Sequence, residues 1–149
     1  MMKYFQTTSA RTNRPRLQKF VFLFAIVICS CSTENESKQL NGTWIPIKEE
    51  IGGTAFPESA FSDQRLIIED ENYTMRAENV DKGTVTLDGN KITIEGKEGP
   101  NAGRQIKAIY KIENEELTIC YNLAGDIFPK TFSTEGNSMF FMATFKRAE

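Results

Sequence analysis

From residue 40 onward the sequence predicts an all-β domain, an antiparallel β-barrel of about eight short strands. Three observations carry that reading. Apolar residues alternate with polar ones in short runs, the period of a half-buried strand. Turn-forming residues separate the runs at intervals of about 8 to 14 residues. No long stretch has helical periodicity. Closing the sheet removes the exposed edges that make a small sheet protein prone to association. A β-sandwich of the same strands is the alternative architecture.

The first expected strand is 43–49, TWIPIKE, and Pro46 within it has no amide hydrogen for a ladder, which places an edge or a bulge there. Residues 51–63 contain two glycines and a proline and read as a loop. Phe56 and Phe61 in that loop are expected to cap one end of a core. A second strand covers 65–70, and Asp70-Glu71-Asn72 turns the chain into a third over 73–78, with Tyr73, Met75 and Ala77 on one face. A fourth over 83–88 turns Val85 and Leu87 inward. Asp88-Gly89-Asn90 is the clearest hairpin signal, and 91–95 follows with Ile92 and Ile94 inward. After a polar loop at 95–103, strand 104–112 aligns Ile106, Ala108, Tyr110 and Ile112. A turn at 113–116 leads into 117–123, where Leu117, Ile119, Tyr121 and Leu123 face one way and Cys120 the other. The last loop, 124–137, precedes strand 139–146, which is apolar on both faces and so expects cover on both.

The residues before the domain have a different character. The first nineteen carry five basic side chains and no acidic one, and a ten-residue apolar run fills 20–29. That is the plan of an export signal, and the run is half the roughly 20 residues needed to span a bilayer. Ile28, Cys29, Ser30 and Cys31 follow. They resemble the lipobox of bacterial lipoproteins, which ends on the cysteine that becomes acylated. The resemblance implies cleavage before Cys31, a multiply acylated cysteine, and firm attachment to a membrane of the cell envelope. Residues 1–30 are thus expected to be a lipoprotein signal peptide. Residues 31–39 are the lipidated cysteine and a polar tether, and 40–149 the folded domain.

Removal of 1–30 leaves thirteen basic against twenty acidic residues, a net charge of −7. Such a chain has no general affinity for nucleic acid or anionic lipid, so a membrane association falls to the anchor. Cys120 then has no intramolecular disulfide partner and is expected to be a buried thiol. The chain has no histidine, which excludes serine–histidine and cysteine–histidine nucleophile pairs. The doublet Glu49-Glu50 and the run Glu69-Asp70-Glu71 offer oxygen ligands but lack the spacing of a calcium loop, and both read as solvated chain reversals. Neither a metal nor another cofactor is expected, and the sequence does not read as an enzyme.

Leu40-Asn41-Gly42-Thr43-Trp44 resembles the opening of lipocalin-like domains, where a glycine and a tryptophan begin the first barrel strand. More closely, the chain resembles a family of bacterial lipocalin-like proteins abundant in planctomycetes. The shared features are that opening, a glycine at 52 or 53, Ile109-Tyr110-Lys111-Ile112, Leu117-Thr118-Ile119-Cys120, Phe128-Pro129 with Phe132, and the basic end Lys146-Arg147. Phe128 stands where that family often has arginine, so no role of that arginine carries over. The resemblance implies a lipocalin-like barrel and brings no reaction or ligand with it.

An eight-stranded barrel either packs solid or encloses one small ligand. Trp44, Met75, Tyr110, Tyr121 and Phe141 are the candidates to line such a cavity. The expected function is a membrane-anchored lipoprotein whose barrel binds a small apolar or amphipathic molecule. A filled barrel would instead leave an envelope protein-interaction or structural module that uses loops 51–63, 95–103 and 124–137. A hydrolase would need two carboxylates facing one cleft.

Overall fold

The computed structural model describes residues 38–149; the expected signal peptide, Cys31 and the expected tether up to residue 37 lie outside the described residues. Nine strands occur among those described: β1 (Gly42–Ile51), β2 (Thr54–Ala55), β3 (Arg65–Glu69), β4 (Asn72–Arg76), β5 (Val80–Asp88), β6 (Lys91–Glu98), β7 (Gln105–Glu113), β8 (Glu116–Asn122) and β9 (Phe140–Arg147). All pairings are antiparallel. β3 to β9 join their neighbours in chain order, and β1 pairs with both β3 and β9. The β1–β9 ladder runs from Trp44↔Arg147 to Ile51↔Phe141 and closes an eight-stranded barrel, so the sandwich alternative does not form. β2 is a two-residue return that pairs with the end of β1.

Turn chemistry fixes the hairpins at one end. Asp88 faces Lys91 across Gly89 and Asn90, with Gly89 at φ 56°. Glu113 faces Glu116 across Asn114 and Glu115, both at positive φ, which matches the twist of a two-residue hairpin turn. Asp70, at φ 56°, turns β3 into β4 at the same end.

The chain begins the barrel there too. Leu40, Trp44, Leu117 and Phe145 are each at most 1% exposed and seal this end. The Trp44 indole donates to the carbonyl of Leu40 at 2.7 Å. Arg147 lies 4.4 Å from the center of the Trp44 ring and donates to the carbonyls of Gln39 and Asn41, which ties the last strand to the first. At the other end stand the longer connections: 52–64, 77–79, 99–104 and 123–139.

Pro46 coincides with an irregularity. The β1–β9 register shifts between Pro46 and Lys48, so Ile47 is bulged out and 39% exposed. Pro46 is not on a free edge, since Phe145 faces it. The loop phenylalanines divide: Phe61 is buried and Phe56 is 40% exposed, and neither belongs to the core cluster of the barrel. β5 begins at Val80, three residues before its expected start, and Ala77 falls beyond the end of β4.

The connection 123–139 folds back over the outer wall of the barrel. Lys91 and Lys107 place their ammonium groups 5.3 and 5.5 Å from the center of the Phe128 ring, and Lys111 lies 5.2 Å from that of Phe132. Buried Thr134 donates to Glu50 at 2.8 Å and accepts from the amide of Gly53 at 2.9 Å. Cys120 points outward on β8, yet it is fully buried because this strap covers it, with its sulfur 3.9 Å from the Ser133 carbonyl.

Candidate functional site

The barrel is not filled. A cavity of about 330 Å³ occupies the half toward the long connections, within the range of small-molecule sites. Leu66, Ile68, Val85, Ile92, Ile106 and Ile119 are among its walls. These residues come from alternate positions of five strands, so the pattern that makes each strand amphipathic also makes the chamber apolar. Glu78, Asn79, Pro100 and Asn101 line it at the rim.

Of the five residues expected in such a cavity, Met75, Tyr121 and Phe141 line it. The rings of Tyr121 and Phe141 pack with centers 5.6 Å apart. Trp44 belongs to the sealed end, and Tyr110 is buried in the core cluster; neither is among the lining residues.

Two polar features inside the barrel escape a reading of the strands as simple alternation. The first lies at the rim. Asp81, 6% exposed, accepts hydrogen bonds from the Tyr73 hydroxyl at 2.8 Å, from the Asn101 amide at 2.8 Å and from Asn101 Nδ2 at 3.0 Å. Gly83, opposite Tyr73, makes room for the ring: a Cβ there would stand 2.7 Å from Tyr73 Cε1 and 1.9 Å from the Glu95 carbonyl oxygen. Burial, then the bond to Asp81, pushes the Tyr73 phenol above its ordinary value of 10.0. With three donors Asp81 is a fixed acceptor that fastens the 99–104 loop to the wall.

The second is Glu49. It faces Ala143, which faces Ile119, which faces Tyr110, and these cross-strand partners share the interior face. Ile119 lines the cavity, whereas Glu49 and Tyr110 of the same row are not among its lining residues. Glu49 is 6% exposed, and among the described residues no fully enclosed side-chain oxygen or nitrogen lacks a hydrogen-bond partner, so its carboxyl keeps contact with accessible space. Burial raises its pKa from 4.5 to about 7. Burial first, and then the Glu49 charge, pushes the Tyr121 phenol above its ordinary value of 10.0.

Glu49 and Glu50 are therefore not a solvated turn. They lie within β1, and alternation sends them to opposite sides of the wall. Glu50 points outward to Thr134 and to Lys48, whose ammonium is 3.0 Å away. The two carboxyls cannot share an ion, and among the described residues no group of three metal-ligating side chains occurs. The run 69–71 does lie at a chain reversal.

The fold and the chamber together define a closed antiparallel β-barrel able to enclose a small molecule. No family model matches the chain, and no curated protein matches it.

Proposed function

We propose that this protein is a lipocalin-like binding protein of the bacterial envelope that holds a small apolar or amphipathic molecule in its barrel and is anchored through lipid on Cys31. The carrying observation is the apolar chamber of about 330 Å³, bordered by Met75, Tyr121 and Phe141 and opening toward the long connections. A barrel that served only as a structural module would gain stability from filling that space, because empty apolar volume forfeits packing. The anchor rests on the sequence at 20–31 and on the acidic balance of the remaining chain.

Two measurements test the two halves. The full chain, expressed in a bacterium that processes lipoproteins, is exposed to total lipid extract and repurified, and its bound molecules are read by native mass spectrometry. A bound species of defined mass is expected, and a folded protein that retains nothing would refute the carrier. Mass analysis of the amino-terminal peptide should show acylated Cys31 as the first residue; an unmodified Cys31 in the exported protein would refute the anchor.

A further inference from the structure

Few polar side chains line the chamber, and most of them are committed or stand at its mouth. Tyr73 donates its hydroxyl proton to Asp81. Asn101 gives its amide and its Nδ2 to Asp81 and accepts from Arg104. Glu78 and Asn79 belong to the connection 77–79 at the rim. Tyr121 differs from all of these. Alternation along β8 turns it inward with Leu117 and Ile119, and it lines the chamber at 9% exposure. Among the described residues its hydroxyl has no hydrogen bond, and no fully enclosed side-chain oxygen lacks one. The hydroxyl therefore keeps its remaining surface on the open space of the chamber. Burial pushes the phenol above its ordinary value, so at neutral pH it holds its proton and is a donor.

We infer that the Tyr121 hydroxyl is the polar handle of the chamber, and that its ligand class is an uncharged carbonyl compound with an apolar body, a ketone or ester whose oxygen accepts the Tyr121 proton. The assignment rests on the carrier reading above and deepens it. A free O–H in an apolar enclosure favors an acceptor, because a polar group left unpaired there is costly. A carbonyl oxygen is satisfied by one donor and brings no donor of its own. A pure hydrocarbon leaves the hydroxyl as it is. A carboxylate or phosphate finds no cation, since the charged side chains that line the chamber are Glu78 and Asp81, both acidic. An ammonium brings three donors to a space whose free group is itself a donor and where Asp81 already holds three. At about 30 Å³ per water-sized group the chamber takes roughly ten non-hydrogen atoms, which suits a ketone of medium size.

Calorimetric titration of the full chain at neutral pH with propiophenone, n-propylbenzene and 3-phenylpropanoate tests the assignment. The first two share one frame and differ by a carbonyl in place of a methylene. Tyr121→Phe removes the hydroxyl and keeps the ring. The variant should weaken the ketone about tenfold and leave the hydrocarbon within about twofold, the scale of one hydrogen bond in an apolar enclosure. The wild-type protein should bind the carboxylate more weakly than the ketone. With the carbonyl carbon of propiophenone labelled with carbon-13, its resonance should lie downfield of its position in hexane when bound to the wild-type protein, as for a hydrogen-bonded carbonyl. A bound resonance at the hexane position overturns the assignment with no variant required. An equal effect of Tyr121→Phe on ketone and hydrocarbon overturns it too, as does a carboxylate that binds the wild-type protein more tightly than the ketone. In each of these cases the binding itself leaves the carrier reading standing. Failure of all three to bind the folded protein removes the carrier reading and this assignment with it.

Discussion

Glu49→Gln should raise the stability of the folded chain at pH 8 by about 3 kcal/mol and change it little at pH 4.5. The carboxyl has an ordinary pKa of 4.5 and a folded-state value of about 7. That gap, at about 1.4 kcal/mol per pH unit, sets an upper bound of about 3.5 kcal/mol, and water that reaches the carboxyl brings it to about 3 kcal/mol or less. For an acid raised by burial, the native chain keeps a proton between pH 4.5 and 7 that the unfolded chain has released. Stability therefore falls as pH rises through that window, and the full loss is reached above 7. Glutamine keeps the shape of the protonated acid and cannot ionise. The window is unusually clean, because the chain contains no histidine, the side chain that ordinarily titrates between pH 5 and 8. Glu50, Glu95 and Asp126 are held below their ordinary values, so the stability they contribute is lost only in more acidic solution. Urea unfolding of both proteins at pH 5, 6, 7 and 8, without added ligand, gives the comparison directly. Parallel curves for the two proteins across that range, or a wild-type protein more stable than Glu49→Gln at pH 8, would show that the carboxyl is not held in a desolvated place.

Three further outcomes follow from particular contacts. Glu115, at φ 66°, is a non-glycine residue in a left-handed turn position; Glu115→Gly should stabilise the β7–β8 hairpin by about 1 kcal/mol in urea unfolding. Asp81→Ala leaves the Tyr73 hydroxyl and the Asn101 amide without their acceptor and should cost about 2–3 kcal/mol. Its loosening of loop 99–104 should also appear as faster amide exchange at Asn101. Burial raises the pKa of the Cys120 thiol, so a thiol reagent at neutral pH should modify the peptide containing Cys120 only as fast as the protein opens. Rapid modification in the native state would mean that the strap does not cover it.

The strands were legible because the wall of a barrel imposes a period of two on the sequence. Ile106, Ala108, Tyr110 and Ile112 on β7 and Leu117, Ile119 and Tyr121 on β8 could be sorted to the inner face from spacing alone, and they belong to or pack against one core cluster. The hairpin at Gly89-Asn90 was legible from turn chemistry. Glu49 was not, and the reason is the bulge. Counting by twos from Trp44 puts residues 46 and 48 inside and 49 outside; the extra residue at Ile47 reverses the parity, so Lys48 leaves the wall and Glu49 turns in. The proline hinted at a bulge without saying on which residue the register would slip. β5 was read too short because Asp81 and Gly83 occupy inward positions that the pattern expects to be apolar. Their reason for being there is tertiary: one holds Tyr73 and Asn101, and the other gives the Tyr73 ring space. The outward burial of Cys120 depends on where a loop lies down, which its composition does not encode.

The sealed end is also the end at which the chain joins the barrel, since Leu40 plugs it and Arg147 clasps the residues on either side. The ten residues of β1 then climb to the opposite end. With strands inclined as in other small barrels, that climb is about 25 Å. The closed end and the point of entry of the chain thus coincide, and the opening lies a full strand length away, so whatever precedes Leu40 meets the barrel at the end that a guest does not use.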